Sequence, residues 1–138
     1  MRIFLDANIL SSAAKSSGAI RQLLKKLLGK KHTLVADGYV HAEAIRNIAV
    51  KADAQAVRDL EALLRTVDVS AVQFAHVSEA LESAALWLPE KDRPVLLAAM
   101  ALACDVPVTG DITHFGAGYG KRFGSVTVYS PRQLAELI

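Results

Sequence analysis

The apolar positions of this chain fall into two kinds of run, and their alternation predicts the fold. Short, nearly unbroken runs read as buried strands: Arg2-Ile3-Phe4-Leu5, Thr33-Leu34-Val35-Ala36, Val106-Pro107-Val108-Thr109 and Ser125 to Tyr129, with a further short strand expected within Val67 to Phe74. Asp6-Ala7-Asn8 follows the first of these and reads as a loop. Other segments keep helical spacing. Ile20, Leu23, Leu24, Leu27 and Leu28 form one stripe that Gly29 closes, and a helix is expected over His41 to Lys51. Another should start near Asp53 as its N-cap, with Val57, Leu60, Leu63 and Leu64 inward. Ser78 can cap a helix through Trp87 that Pro89 stops, and Arg93 to Cys104 carries Pro94 in its first turn. Ser130-Pro131-Arg132-Gln133 opens the last helix as a capping box. Strands that are apolar throughout, alternating with helices, indicate an α/β fold whose mostly parallel sheet is covered on both faces.

Composition narrows the class. The 138 residues fit one domain, 1–138, and 52% apolar against 22% charged excludes disorder. A single cysteine, Cys104, excludes an internal disulfide, and no zinc-finger spacing exists. The longest apolar run, Val95 to Cys104, is too short to span a bilayer, and Asp6 interrupts the N-terminus before a signal core develops. The expectation is a cytoplasmic protein with no membrane partner. Net charge is only +2, but it is unevenly spread. Residues 1–51 hold nine Lys/Arg against three Asp/Glu, whereas residues 52–105 hold four against nine. Such polarity suits attraction of a polyanion to one side.

In open parallel sheets, ligands bind beyond the carboxyl ends of the strands. Asp6, Asp37 and Asp111 each follow a predicted strand, so parallel strands would put all three at one rim. Glu43 sits early in the helix after the second strand, and Asp92 opens the helix leading to the third. Each has a bland alternative: Asp6-Ala7-Asn8 as the start of a helix, Asp92 as an N-cap, Asp37 and Asp111 as turn formers, Glu43 as a solvated side chain. Carboxylates that converge repel one another, and a divalent cation relieves that cost. Oxygen-only ligation suits Mg²⁺ or Mn²⁺, ions that bind phosphate oxygens and activate water. Hydrolysis of a phosphate ester is the implied chemistry.

The segment Ile3-Phe4-Leu5-Asp6-Ala7-Asn8 resembles the opening motif of PIN-domain nucleases, a strand ending in Asp-x-Asn or Asp-x-Ser. His41-Ala42-Glu43-Ala44-Ile45, Lys91-Asp92-Arg93-Pro94 with its Ala-rich continuation, and Val108-Thr109-Gly110-Asp111 are similar to the other acidic motifs of that family, in order and across nearly the whole chain. The resemblance implies a three-layer α/β/α fold and a quartet of Asp6, Glu43, Asp92 and Asp111. That quartet would bind Mg²⁺ or Mn²⁺ for RNA cleavage, with Asn8 and Thr109 as polar neighbours orienting a carboxylate or water. It also implies a toxin of a toxin–antitoxin pair, with a cognate antitoxin and a homodimeric state as expected partners. The chain departs from the family pattern after Asp111, where Ile112-Thr113-His114-Phe115 lacks the further acid many members carry. His114 is a candidate contact to phosphate, although a loop histidine more often faces solvent; Asp37 is an additional candidate near the metal.

For substrate grip, Lys121 and Arg122 in a Gly-rich loop are candidate RNA contacts, as is Lys25 on the basic face that also bears Arg21 and Lys26 and is followed by Lys30, Lys31 and His32. Tyr119 and Phe123 are candidate stacking rings; Trp87 reads as core or dimer interface. Two further readings compete with a metal-dependent ribonuclease. One is a catalytically degenerate PIN-like module that binds RNA or protein. The other is a phosphatase using Asp6 as nucleophile, disfavoured because Asn8 stands where its second acid belongs.

Overall fold

The computed structural model describes residues 1–51, 54–74 and 77–138. Four parallel strands form the central sheet: β1 (Arg2–Leu5), β2 (Thr33–Asp37), β3 (Val67–Ser70) and β4 (Val106–Val108), in the order β3-β2-β1-β4. Successive residues Ile3, Phe4 and Leu5 of β1 are all fully buried. Because successive side chains of a strand point to opposite faces, both faces of the sheet are covered. Strand β1 is therefore the centre of the core, flanked by β2 on one edge and β4 on the other.

Helices α1 (Ala7–Lys15), α2 (Ala19–Gly29), α3 (Gly38–Lys51) and α4 (Ala54–Leu64) pack against one another. Helices α5 (Glu79–Ala84) and α6 (Arg93–Ala101) also pair, with α6 against β4, and the C-terminal α8 (Pro131–Leu137) meets α2. A short α7 (Ile112–Phe115) follows β4. The result is the three-layer α/β/α arrangement that the apolar strands require.

Several local outcomes differ from the pattern-based expectation. Asp6-Ala7-Asn8 is not a loop: Asp6 is itself the N-cap of α1, and Ile9, Leu10, Ala13 and Ala14 supply that helix's buried face. The helix expected to reach Cys104 ends at Ala101, since the backbone turns at Leu102 and Ala103 takes φ +56°. The helix capped by Ser78 ends at Ala84, well short of Trp87. The segment Ser125 to Tyr129 does not add a full parallel strand. Val126–Thr127 (β6) pairs antiparallel with Arg122–Phe123 (β5), while the Thr127 and Tyr129 amides donate to the Asp105 and Pro107 carbonyls and Tyr129 bridges to Val108. Gly124, at φ +59°, supplies the left-handed backbone that the two-residue turn of this ribbon needs. In α4, Leu60 is buried but Val57 is 39% exposed, and the Asp53 cap lies outside the described residues.

Trp87 closes the gap between the ribbon and the body, stacked on Phe123 with centroids 4.4 Å apart and edge-on to Phe115. A Cβ at Gly118 would lie 2.3 Å from the indole, so only glycine permits this approach. Arg21, on the basic face of α2, is structural: its guanidinium donates to the carbonyls of Ala13 and Ala14 at the end of α1 and pairs with Asp59 at 3.1 Å.

Candidate metal centre

Strands β1 and β4 are neighbours in parallel register, with Leu5 opposite Val108. The chain leaves both at the same end of the sheet. That places the Asp6-Ala7-Asn8 turn directly beside Thr109-Gly110-Asp111, and a network of polar contacts locks the two together. Asp6 Oδ1 accepts from the Ala7 amide at 2.7 Å, while Oδ2 accepts from the Thr109 hydroxyl at 2.7 Å and the Asn8 amide at 3.1 Å. Asn8 Nδ2 also reaches Thr109 Oγ1, its Oδ1 accepts from the Gly110 amide, and the Asp111 amide donates to Thr109 Oγ1. Asp111 in turn caps α7 by accepting from the His114 amide.

Two other acids arrive from helices. Glu43 lies on α3, one turn beyond Tyr39 and one turn before Asn47. These three share a helix face that lines a cavity of about 250 Å³ together with Asp6, Asn8, Lys91, Asp92, Asp111 and His114. Asp92 ends a 3₁₀ turn (Glu90–Asp92) immediately before α6, and its side chain makes no capping bond. The N-cap alternative is thereby excluded, and the carboxylate is left to face the cavity. All four sequence-predicted acids thus line one cavity beyond the carboxyl ends of β1 and β4.

The electrostatics of this cavity are unfavourable as it stands. Burial pushes the Asp6 carboxyl up from its ordinary range; the Thr109 hydroxyl and Ala7 amide oppose that shift, and the charges of Glu43 and Asp111 add to it. Asp92 Oδ2 is fully buried and has no hydrogen-bond partner. His114 Nδ1 lies 3.1 Å from that oxygen, out of line for a hydrogen bond, and 2.9 Å from Asp111 Oδ2. Asp92, Asp111 and His114 present ligand atoms within 4.8 Å of one another. The ligand atoms that converge are two carboxylates and one imidazole, while Asp6 and Glu43 line the same cavity outside that group; a buried carboxylate oxygen without a hydrogen bond in this acidic setting fits a divalent cation.

The remaining sequence candidates fall elsewhere. Asp37 is buried at the end of β2, outside the cavity lining, and accepts from the Val40 amide at 2.9 Å as the cap of α3; burial pushes its carboxyl up. Lys121 and Arg122 lie at the β5–β6 ribbon, and Arg122 donates to the Gly124 carbonyl. Lys25 lines a separate groove between α2 and α4 with Asp59 and Thr66. His32 sits against the N-terminal ammonium at 2.8 Å, so the basic run that follows α2 lies at the amino end of the sheet, opposite the acids. Tyr119 donates to the Thr109 carbonyl, and Phe123 is stacked on Trp87.

Tyr39, Asn47 and Lys91 are lining residues that pattern reading did not single out. The spacing of Tyr39 and Asn47 four residues either side of Glu43 was the available signal. A larger apolar groove of about 380 Å³ runs between α3 and α4 past Ile45, Val57 and Leu64, on a different face of α3. It lacks the converging acids.

The chain has a PIN-like fold, the fold of VapC-type toxins. It superposes on VapBC2 of Rickettsia felis, a structure bound to a DNA fragment from its promoter, with a TM-score of 0.68 and 18% identity over 94% of this chain and 98% of that one. The match to VapBC-1 of nontypeable Haemophilus influenzae gives 0.62 and 18% over 96% and 99%. That to VapC20 of Mycobacterium tuberculosis, a toxin that cleaves the sarcin–ricin loop, gives 0.54 and 17% over 88% and 98%. No family model matches the sequence, and no curated protein matches it. Among the described residues, no helix is long and apolar enough to cross a membrane.

Proposed function

We propose that this protein is a divalent-metal-dependent endoribonuclease and the toxin component of a toxin–antitoxin pair. The observation that carries the reading is the convergence of Asp6, Glu43, Asp92 and Asp111 on one cavity, with Asp92 Oδ2 buried and unpartnered. The fold shared with VapC20, which cleaves RNA, and with two VapBC assemblies supports both the substrate class and a cognate antitoxin. A homodimer and a cytoplasmic location remain part of this proposal.

Asp6, Glu43, Asp92 and Asp111 would hold Mg²⁺ or Mn²⁺, which when bound lowers the pKa of water and offsets charge on the attacked phosphoryl group. Thr109 and Asn8 fix the plane of the Asp6 carboxylate through their two bonds to Oδ2. Asp92 Oδ2, which accepts no hydrogen bond and has the His114 ring 3.1 Å away, would accept a proton from water. His114, against Asp111 and Asp92, restrains both carboxylates from the α7 side.

The test is cleavage of RNA by the purified protein with Mg²⁺ or Mn²⁺ and with chelator. Asp6→Asn and Asp111→Asn are each expected to abolish the metal-dependent cleavage; undiminished cutting by both variants rejects the assignment. A second reading, a binding module that no longer cuts, is favoured by one feature: the His114 ring already occupies space between two of the acids. Calorimetric titration with Mn²⁺ separates them, because absence of carboxylate-dependent binding selects the module. The antitoxin is tested by finding a small DNA-binding protein in the adjacent reading frame and co-purifying it.

A further inference from the structure

Four carboxylates around one cavity repel a phosphodiester even after an ion offsets part of their charge, so the cavity needs its own means of holding an RNA strand. The cations and rings that the sequence suggests for this do not line it. Lys25, Lys121 and Arg122 lie outside, Phe123 is stacked on Trp87, and the Tyr119 hydroxyl is bonded to the Thr109 carbonyl. Of the three lining residues not singled out from the sequence, Asn47 donates to Ser11 Oγ, which leaves Tyr39 and Lys91. Tyr39 is 46% exposed, so its ring is open to a ligand, and it sits one helical turn before Glu43 on the same face. Asp37 fixes its direction by capping the first turn of α3 through Val40, whose side chain is wholly buried. Lys91, exposed and adjacent to Asp92, provides the one ammonium lining the cavity among the described residues.

Building on the ribonuclease reading, we propose that Tyr39 and Lys91 form the substrate grip of this site. The Tyr39 ring stacks on an unpaired base next to the phosphate held at the acids, and the Lys91 ammonium meets a neighbouring phosphate. An aromatic face at the lip of a polar cavity accepts any base that has left its stack, and bases within an A-form duplex offer no such face. What Tyr39 adds to the site is discrimination by the accessibility of a base rather than by duplex shape.

The experiment measures fluorescence anisotropy of a short fluorescein-labelled single-stranded RNA, with Mg²⁺ present and Asp111→Asn as parent so that no strand is cut. Tyr39→Ala is expected to weaken binding about tenfold, while Tyr39→Phe, which keeps the ring, stays near the parent. Lys91→Ala should weaken binding and reduce the slope of affinity against salt by about one counterion, with Lys91→Arg restoring it. Strands each lacking one base identify the stacked position: the loss seen with the parent should be absent in Tyr39→Ala. The same RNA annealed to its complement should bind more weakly and be indifferent to Tyr39. Binding of the single strand by Tyr39→Ala within twofold of the parent overturns the grip while leaving the ribonuclease reading intact. Failure of the parent and the unsubstituted protein to bind RNA at all removes both.

Discussion

The two halves of the acidic cavity are built on opposite principles. On the β1–β4 side, Asp6 is held by three hydrogen bonds, and its neighbours Asn8 and Thr109 are bonded to one another. On the α3–α6 side, Glu43 and Asp92 project from helices, and Asp92 Oδ2 has no donor although it is buried. The first half serves the fold as well as the site, since Asp6 caps α1 and joins two strand ends. The second leaves a buried carboxylate oxygen without a hydrogen bond, its near neighbour the His114 ring at 3.1 Å, a cost of folding that an ion would offset.

The largest expected effect tests whether the halves separate in stability as well as in chemistry. Asp6→Ala and Asp92→Ala should both lower metal-dependent cleavage by about a hundredfold or more. In chelator, however, Asp6→Ala should lose about 1–3 kcal/mol in urea unfolding, because the Ala7 amide, Asn8 and Thr109 lose their acceptor. Asp92→Ala should lose nothing or gain, because it removes a buried unpaired oxygen. Equal losses in the two variants would erase the distinction.

Metal itself should sharpen the contrast. Mn²⁺ at about a hundred times its dissociation constant is expected to raise the unfolding free energy of the unsubstituted protein by about 2.7 kcal/mol. Asp92→Asn should lose most of that increment, as read by thermal shift with and without chelator. Thr109→Val, which keeps the shape but removes the hydroxyl, should cost about 1–2 kcal/mol and weaken Mn²⁺ binding about tenfold or more in calorimetry. An unchanged affinity would mean that Asp6 does not need its cradle.

Asp37 is the control, a buried acid with a capping role and no place in the cavity. Its carboxyl is raised from 3.8 by burial, so the folded state holds that proton more tightly than the unfolded chain does. Stability from this group is fully present below the unfolded value and declines as pH rises through the folded one. Asn caps a helix about as well as Asp without ionising. Asp37→Asn should therefore match or modestly exceed the parent's melting temperature at neutral pH and lose that advantage in acid. Cleavage should be unaffected.

The sequence disclosed the acids at the strand ends because the apolar runs stop abruptly at Asp6 and Asp111, and parallel strands carry whatever follows them to one rim. Glu43 and Asp92 could be placed near that rim by their helices, but only the family resemblance joined them to the quartet, since nothing local distinguishes a carboxylate facing a cavity from one facing water or capping a helix. Asp92 shows why: its position before Arg93-Pro94 fits a cap, yet the 3₁₀ turn rotates it away from that use. The start of helix α1 stood only as an alternative to a loop, because its N-cap is also the site's first acid and a polar turn reads the same in either role. The ribbon of β5 and β6 escaped because strand direction is a property of pairing, decided here by the turn at Gly124. His114 could not be placed from its neighbours alone; a single helical turn after Asp111 folds it back onto two acids.

The bond between the Thr109 hydroxyl and Asp6 joins residues 103 positions apart. A nascent polypeptide halted before β4 already contains Asp6, Glu43 and Asp92 but has nothing to clasp them. The site is therefore assembled only once the segment carrying Thr109 has docked beside β1, whatever the order in which the rest of the chain folds.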